Sequence, residues 1–216
     1  KSSIEVFSAM RSKSSIRRSD ICALVVDATQ GATAQDRKIA NIIRDSRKPC
    51  LVIANKFDLY HPDAAKPDRL ASLQDDIAEQ LFFIPYAPVV AASAKTGESI
   101  KRFYFAIEQI RKASCEGINT GTLNRLMQDS LLAHPPPAGK GGKRFKLLYA
   151  TMARERDREK SINGANFILF CNKRSLLPAS YERYLENKIR DNYHYTGIPI
   201  SFTFRQRETR KRTRKK

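Results

Sequence analysis

The chain has 216 residues, 41% of them hydrophobic and 29% charged, so it has the apolar material for a core and is not disordered throughout. No apolar run approaches the roughly 18–20 residues that a membrane-spanning helix needs, and no charged-then-apolar leader follows Lys1, so neither a membrane partner nor a secretory address is expected. The net charge of +18 is uneven: residues 1–139 carry 19 Lys and Arg against 15 Asp and Glu, whereas residues 140–216 carry 21 against 7.

Lys1 to Arg18 has scattered apolar residues at near-helical spacing, and the absence of an initiating Met suggests a chain that begins inside something longer. Ile21–Ala28 (ICALVVDA) is a continuous apolar run, expected as a strand buried on both faces. Ala32 to Arg47 places Ile39, Ile42 and Ile43 on one helical stripe, and Leu51–Asn55 (LVIAN) is a second buried strand. After a Pro-containing loop (Pro62, Pro67), Asp68 to Phe83 is helical, and Ala87–Ser93 is a third short strand. Gly97 to Lys112 is helical, with Ile100, Phe103, Ile107 and Ile110 on a shared face. This alternation predicts a parallel sheet covered by helices.

The pattern then changes. Asn119 to Ala133 reads as a helix, and His134–Lys143 as a Pro- and Gly-rich linker. Lys143–Met152 and Ala165–Asn172 read as strands, with a long charged connection, Arg154–Asn163, between them. Pro178 to His194 is an amphipathic helix carrying Tyr181, Tyr184, Leu185 and Ile189, with Pro178 in its first turn. Ile198 to Phe204 alternates as a final strand. Helix, strand, strand, helix, strand makes a small α+β domain.

The four cysteines show no C-x-x-C and no clustering with the three histidines. They are expected to be reduced, with Cys22 and Cys50 as small core residues, in a cytoplasmic setting. No metal site is expected.

The sharpest signal is Asn55-Lys56-Phe57-Asp58, an N-K-x-D pattern at the carboxyl end of a buried strand, where open α/β sheets bind ligands. A carboxylate at Asp58 can accept from the ring nitrogen and the exocyclic amine of guanine, a donor pair that adenine lacks. The Asn55 amide can bridge the base and the neighbouring loops, and the Lys56 stem can lie along the face of the base. The bland alternative is a loop with an Asn cap. A second element argues against it. Ser93-Ala94-Lys95-Thr96-Gly97 follows the next strand, thirty-five residues after Asp58, where its backbone N–H groups can meet the guanine keto oxygen.

Together with Ile16–Asp36, KRFKLLYAT and Ser180–Arg205, these motifs resemble the C-terminal half of the Der (EngA) family, bacterial GTPases with two consecutive G domains and a KH-like C-terminal domain. The resemblance covers nearly all of the chain. It implies an α/β fold: a partial Ras-like P-loop GTPase domain in residues 1–117 whose N-terminal strands are missing, then a small α+β KH-like domain in residues 118–204 and a basic tail in 205–216. It implies GTP or GDP as ligand, bound weakly or not at all by this piece, and as partners ribosomal RNA, the large ribosomal subunit in late assembly and the upstream G domains.

The phosphate half of the site is absent. No G-x-x-x-x-G-K-[ST] occurs, and Asp27-Ala-Thr-Gln-Gly31 is one residue too long for D-x-x-G. In the family those motifs would precede Lys1, and Mg2+ would enter only with them. The chain alone is therefore expected not to hydrolyse GTP. Without its flanking strands, the strand at Ile21–Ala28 is expected to be an apolar edge prone to association.

The basic C-terminal third is read as a phosphate-binding surface, with Lys140, Lys143, Arg144, Arg210, Lys211, Arg212, Arg214, Lys215 and Lys216 as candidate RNA contacts. A merely solvated tail is the alternative. Gly139-Lys-Gly-Gly142 spells the KH loop G-x-x-G, but it precedes a strand rather than joining two helices and is read as coincidence; a single-G-domain relative with a true KH domain is disfavoured for that reason. Tyr181, Tyr184, Tyr193 and Tyr195 could stack on bases, although helical spacing favours the core for the first two. A non-catalytic RNA- or ribosome-binding module is the second functional reading.

Overall fold

The computed structural model describes residues 3–153 and 162–206; the side chains of residues 3–10 and 140 lie outside the described residues, as do the connection 154–161 and the tail 207–216. The chain divides into two compact units. The first runs to Glu116 and takes in Tyr195–Pro199; the second begins at Gly117 and includes Ala165–His194 and the strand from Ile200.

The first unit contains α1 (Ser3–Arg18), β1 (Cys22–Asp27), α2 (Ala34–Asp45), β2 (Cys50–Asn55), α3 (Lys66–Gln80), β3 (Val89–Ala91) and α4 (Ile100–Cys115). Its three strands are parallel in the order β1-β2-β3. A capping box starts α2: Asp36 N–H donates to Thr33 Oγ1 at 3.2 Å, and Thr33 N–H donates to the Asp36 carboxylate at 2.9 Å. Leu24, Val26, Val52 and Ala54 pack with Ile43 of α2 and with Leu73 and Ile77 of α3. Leu51, which points to the other face of β2, is also fully buried. As the apolar run implied, β2 is therefore covered on both sides.

β1 departs from the same expectation. Its residues alternate buried and exposed, and Val25 is 54% exposed. The reason is cover: the face carrying Cys22, Leu24 and Val26 meets the α2–α3 core, and Val25 points to the other face. Two smaller corrections concern helices. Pro67 lies in the first turn of α3, where its missing N–H costs nothing, rather than in the preceding loop. On α4 the buried positions are Ala106 and Ile110, while Ile100 is exposed.

Segment 195–199 joins the first unit although it lies between helix and strand of the second in sequence. Gly197 N–H donates to the Tyr86 carbonyl at 2.7 Å, and Cys50 N–H donates to the Gly197 carbonyl at 2.9 Å. Gly197 has φ +71°. Cys22 and Cys50 are buried register partners, and all four cysteines are free. Burial, and then the neighbouring Cys22, push the Cys50 thiol up to about 12, so it is an unreactive core group at neutral pH.

The second unit contains α5 (Thr120–Ala133), β4 (Leu147–Met152), β5 (Ala165–Cys171), α6 (Ala179–Asn192) and β6 (Ile200–Gln206). The sheet order is β4-β5-β6, antiparallel and then parallel. β5 alternates strictly: Ala165, Phe167, Leu169 and Cys171 are buried, and Asn166, Ile168 and Phe170 are half-buried. Cys171 and Phe204 pack with Leu131 of α5 and Tyr181 of α6, which places both helices on one face of the sheet. β4 starts at Leu147 rather than Lys143, and β6 at Ile200 rather than Ile198. Pro178 is the N-cap of α6 instead of part of its first turn. Among the described residues no helix is long and apolar enough to cross a membrane.

Candidate functional site

Asn55 ends β2, and the chain turns at Lys56, which adopts the left-handed conformation (φ 64°, ψ 33°). A non-glycine residue held there signals a turn that the surroundings enforce. Phe57 supplies the anchor. Its side chain is buried, its N–H donates to the Ala92 carbonyl at 3.0 Å, and the Arg69 guanidinium of α3 lies 4.4 Å from its ring centroid. Arg69 also donates to the carbonyls of Phe57 and Tyr60, the latter at 2.7 Å. Tyr60 in turn donates to Asp76 at 2.7 Å. The unconstrained position of N-K-x-D is thus what pins the loop, and it leaves Asn55, Lys56 and Asp58 at the rim.

The two sequence motifs meet at one bond: Ala94 N–H donates to Asn55 Oδ1 at 2.9 Å. Ser93 is buried, and its Oγ accepts from Thr96 N–H at 3.2 Å while its carbonyl accepts from Gly97 N–H at 2.9 Å. The loop closes through Ser93 and Glu98, and Glu98 pairs with Lys66 at the start of α3. With Ala94 N–H occupied by Asn55, the Lys95 N–H is the amide in Ser93–Lys95 that has no partner among the described residues. Lys95 itself is exposed.

Asp58 is half-buried, and no hydrogen bond or ion pair reaches its carboxylate among the described residues. Among the described residues its two oxygens are free acceptors. The phosphate-cradling pattern does not occur in these 216 residues.

Asp27, which the sequence offered only as a failed D-x-x-G, has a role in the geometry. Lys56 Nζ lies 2.6 Å from Asp27 Oδ2, holding the lysine stem across the carboxyl ends of β1 and β2. Thr29 donates to Asp27 Oδ1 through N–H at 3.0 Å and Oγ1 at 2.7 Å. Lys56 first, then Thr29, hold the Asp27 carboxyl below its usual range. An acid closing an apolar strand that runs parallel to the N-K-x-D strand was the signal available in sequence.

Of the basic candidates, Lys143 and Arg144 are exposed just before β4. Lys140 opens a 3-10 turn, and Arg210, Lys211, Arg212, Arg214, Lys215 and Lys216 lie outside the described residues. Gly139–Gly142 sits between α5 and β4 and not between two helices. The Tyr181 hydroxyl donates to the His134 carbonyl and the Tyr184 hydroxyl to the Ser130 carbonyl, the latter at 3.0 Å, so both tyrosines tie α6 to the end of α5.

A parallel α/β unit with two loops joined at its strand ends, followed by an α-β-β-α-β unit, defines a GTP-binding-domain protein with a KH-like extension. Residues 5–113 match the elongation factor Tu GTP-binding domain, and residues 118–205 match the KH-domain-like C-terminal domain of EngA bacterial GTPase enzymes. GTPase Der of Akkermansia muciniphila is 47% identical over 206 residues, 95% of this chain and 44% of that protein. GTPase Der of Alkaliphilus oremlandii is 36% identical over 96% of this chain and 45% of its own length, and that of Acetivibrio thermocellus 36% over 95% and 44%. The chain belongs to the Der (EngA) GTPase family and corresponds to its C-terminal portion. It spans less than half the length of these curated relatives.

Proposed function

We propose that the chain binds guanine nucleotides through Asn55, Lys56, Asp58 and the Ser93-Ala94-Lys95 loop, and that it serves, as part of a Der-type GTPase, in cytoplasmic assembly of the large ribosomal subunit. Residues 1–117 are the nucleotide domain, residues 118–204 the KH-like domain and residues 205–216 a basic tail. Ribosomal RNA is the partner, met by Lys140, Lys143, Arg144 and the tail. The observation that carries the nucleotide reading is the Asn55–Ala94 bond, which joins the two loops beside a half-buried, unpartnered Asp58 carboxylate. The +14 net charge of residues 140–216 supports the RNA reading. Family membership supports both.

Without the phosphate cradle, affinity in these 216 residues rests on the base, and no turnover is expected. The same observation favours the second reading, a non-catalytic RNA-binding module. Amide chemical shifts decide between them. GDP, but not ADP, should move the Ala94 and Lys95 amide signals. Asp58→Asn should abolish that response and confer one to xanthosine diphosphate, whose ring N–H and extra carbonyl match an amide's acceptor and donor. Equal responses to GDP and ADP would sink the nucleotide reading and leave the module.

A further inference from the structure

The sheet of the second unit has a face that its helices do not cover. Strand register puts Tyr149 of β4, Phe170 of β5 and Arg205 of β6 in one row, and Thr151, Ile168 and Thr203 in the next. Directly opposed residues point to the same side of a sheet. α5 and α6 pack on the opposite side, with Cys171 and Phe204. Tyr149 is 45% exposed, Arg205 is exposed, and the rings of Tyr149 and Phe170 lie 6.0 Å apart. Among the described residues neither the Tyr149 hydroxyl nor the Arg205 guanidinium has a hydrogen-bond or ion-pair partner. A β-bulge between Leu147 and Tyr149 sits at the end of this row. Bulges of this kind re-aim side chains at sites.

We propose that this open face is a stacking platform for single-stranded RNA: a base lies on Tyr149 and Phe170, and Arg205 and the exposed Lys146 and Lys173 hold the flanking phosphates. Charge complementarity selects the occupant. β4 begins, and β5 and β6 end, at the same edge of the sheet, so Lys146, Lys173 and Arg205 gather where the aromatic row lies. From Gln206 the sequence continues into ten residues that contain seven Lys and Arg. Aromatic rings on an open sheet, flanked by cations, take unpaired bases of any sequence, whereas a duplex keeps its base faces hidden. The platform rests on the RNA reading above and gives it a surface on the sheet.

The chain contains no tryptophan, so Tyr149→Trp introduces one emitter at the platform. Titration of this full-chain variant with an oligouridylate should quench its fluorescence. Tyr149→Ala should weaken oligouridylate binding roughly tenfold without changing the salt slope, and should leave duplex RNA binding unchanged. Tyr149→Leu, which keeps apolar bulk, should behave like Tyr149→Ala. Arg205→Gln should lower both the affinity and the salt slope. Salt-dependent RNA binding that ignores Tyr149→Ala, with no quenching at the introduced tryptophan, would overturn the platform and leave charge-based RNA contact standing; that result is also the one expected if the face docks another protein. Absence of any RNA binding at low salt would instead bring down the RNA reading itself, and the platform with it.

Discussion

Lys56 Nζ and Asp27 Oδ2 stand 2.6 Å apart, linking the left-handed corner of the N-K-x-D loop to the end of the neighbouring strand. The pair makes stability depend on acidity. The folded Asp27 carboxyl titrates below its ordinary value because of Lys56 and then Thr29. A depressed folded value adds stability above the unfolded value of about 3.9 and loses it as pH falls through the folded value. Asp27→Asn should therefore lower stability at pH 7 by less than ~1 kcal/mol, since the Lys56 side chain is 53% exposed and the pair is screened. The gap should close below about pH 4. Urea midpoints of both proteins at neutral and acid pH check this; a gap that persists in acid would assign the effect elsewhere.

Asn55→Ala should free the Ala94 amide. One side-chain to backbone hydrogen bond is worth about 1 kcal/mol, so hydrogen exchange at Ala94 should accelerate several-fold while the core amides of β2 hold. Unchanged exchange at Ala94 would mean that the two loops are held together by something other than this bond.

Val25 leaves an apolar side chain on the uncovered face of edge strand β1. Exposed apolar edges pair with other chains. Val25→Lys should raise the monomer fraction in sedimentation velocity, with little effect on the urea midpoint. If Val25→Lys associates as strongly as the parent, this edge is not the adhesive surface.

Gly197 cannot be enlarged without strain. A Cβ there would meet Ile110 Cδ1 at 2.6 Å and the Cys50 carbonyl at 3.1 Å, at a φ of +71°. Gly197→Ala should destabilise the chain by roughly 2–4 kcal/mol, from overpacking and left-handed strain together. Pairing it with Ile110→Val should recover part of the loss in a double-mutant cycle; strict additivity would show that the clash is relieved elsewhere.

Much of this was legible in the sequence because the relevant signals are local. Buried strands appear as apolar runs, and N-K-x-D carries its chemistry in adjacent residues. β1 departs from its apolar run because such a run reports that a strand wants cover, not that cover exists; the elements packed on its faces decide that. Asp27 was missed as a partner of Lys56 because twenty-eight intervening residues separate groups that parallel register makes adjacent. The packing of Gly197 against Ile110 likewise has no sequence period. The place of Tyr149 on the open face has no local sequence signal, because the bulge beside it is a property of pairing.

The rim of the second unit is treated differently from that of the first. The Asn124 side chain of α5 both donates to the Ala150 carbonyl and accepts its N–H, each at 2.8 Å, standing in for a rung of a missing strand. Two sheets in one polypeptide thus meet the hazard of fibre growth unequally. A single amide blocks one rung on the outer edge of β4, and Asn124→Leu would free it, giving the polypeptide a second open edge besides that of β1.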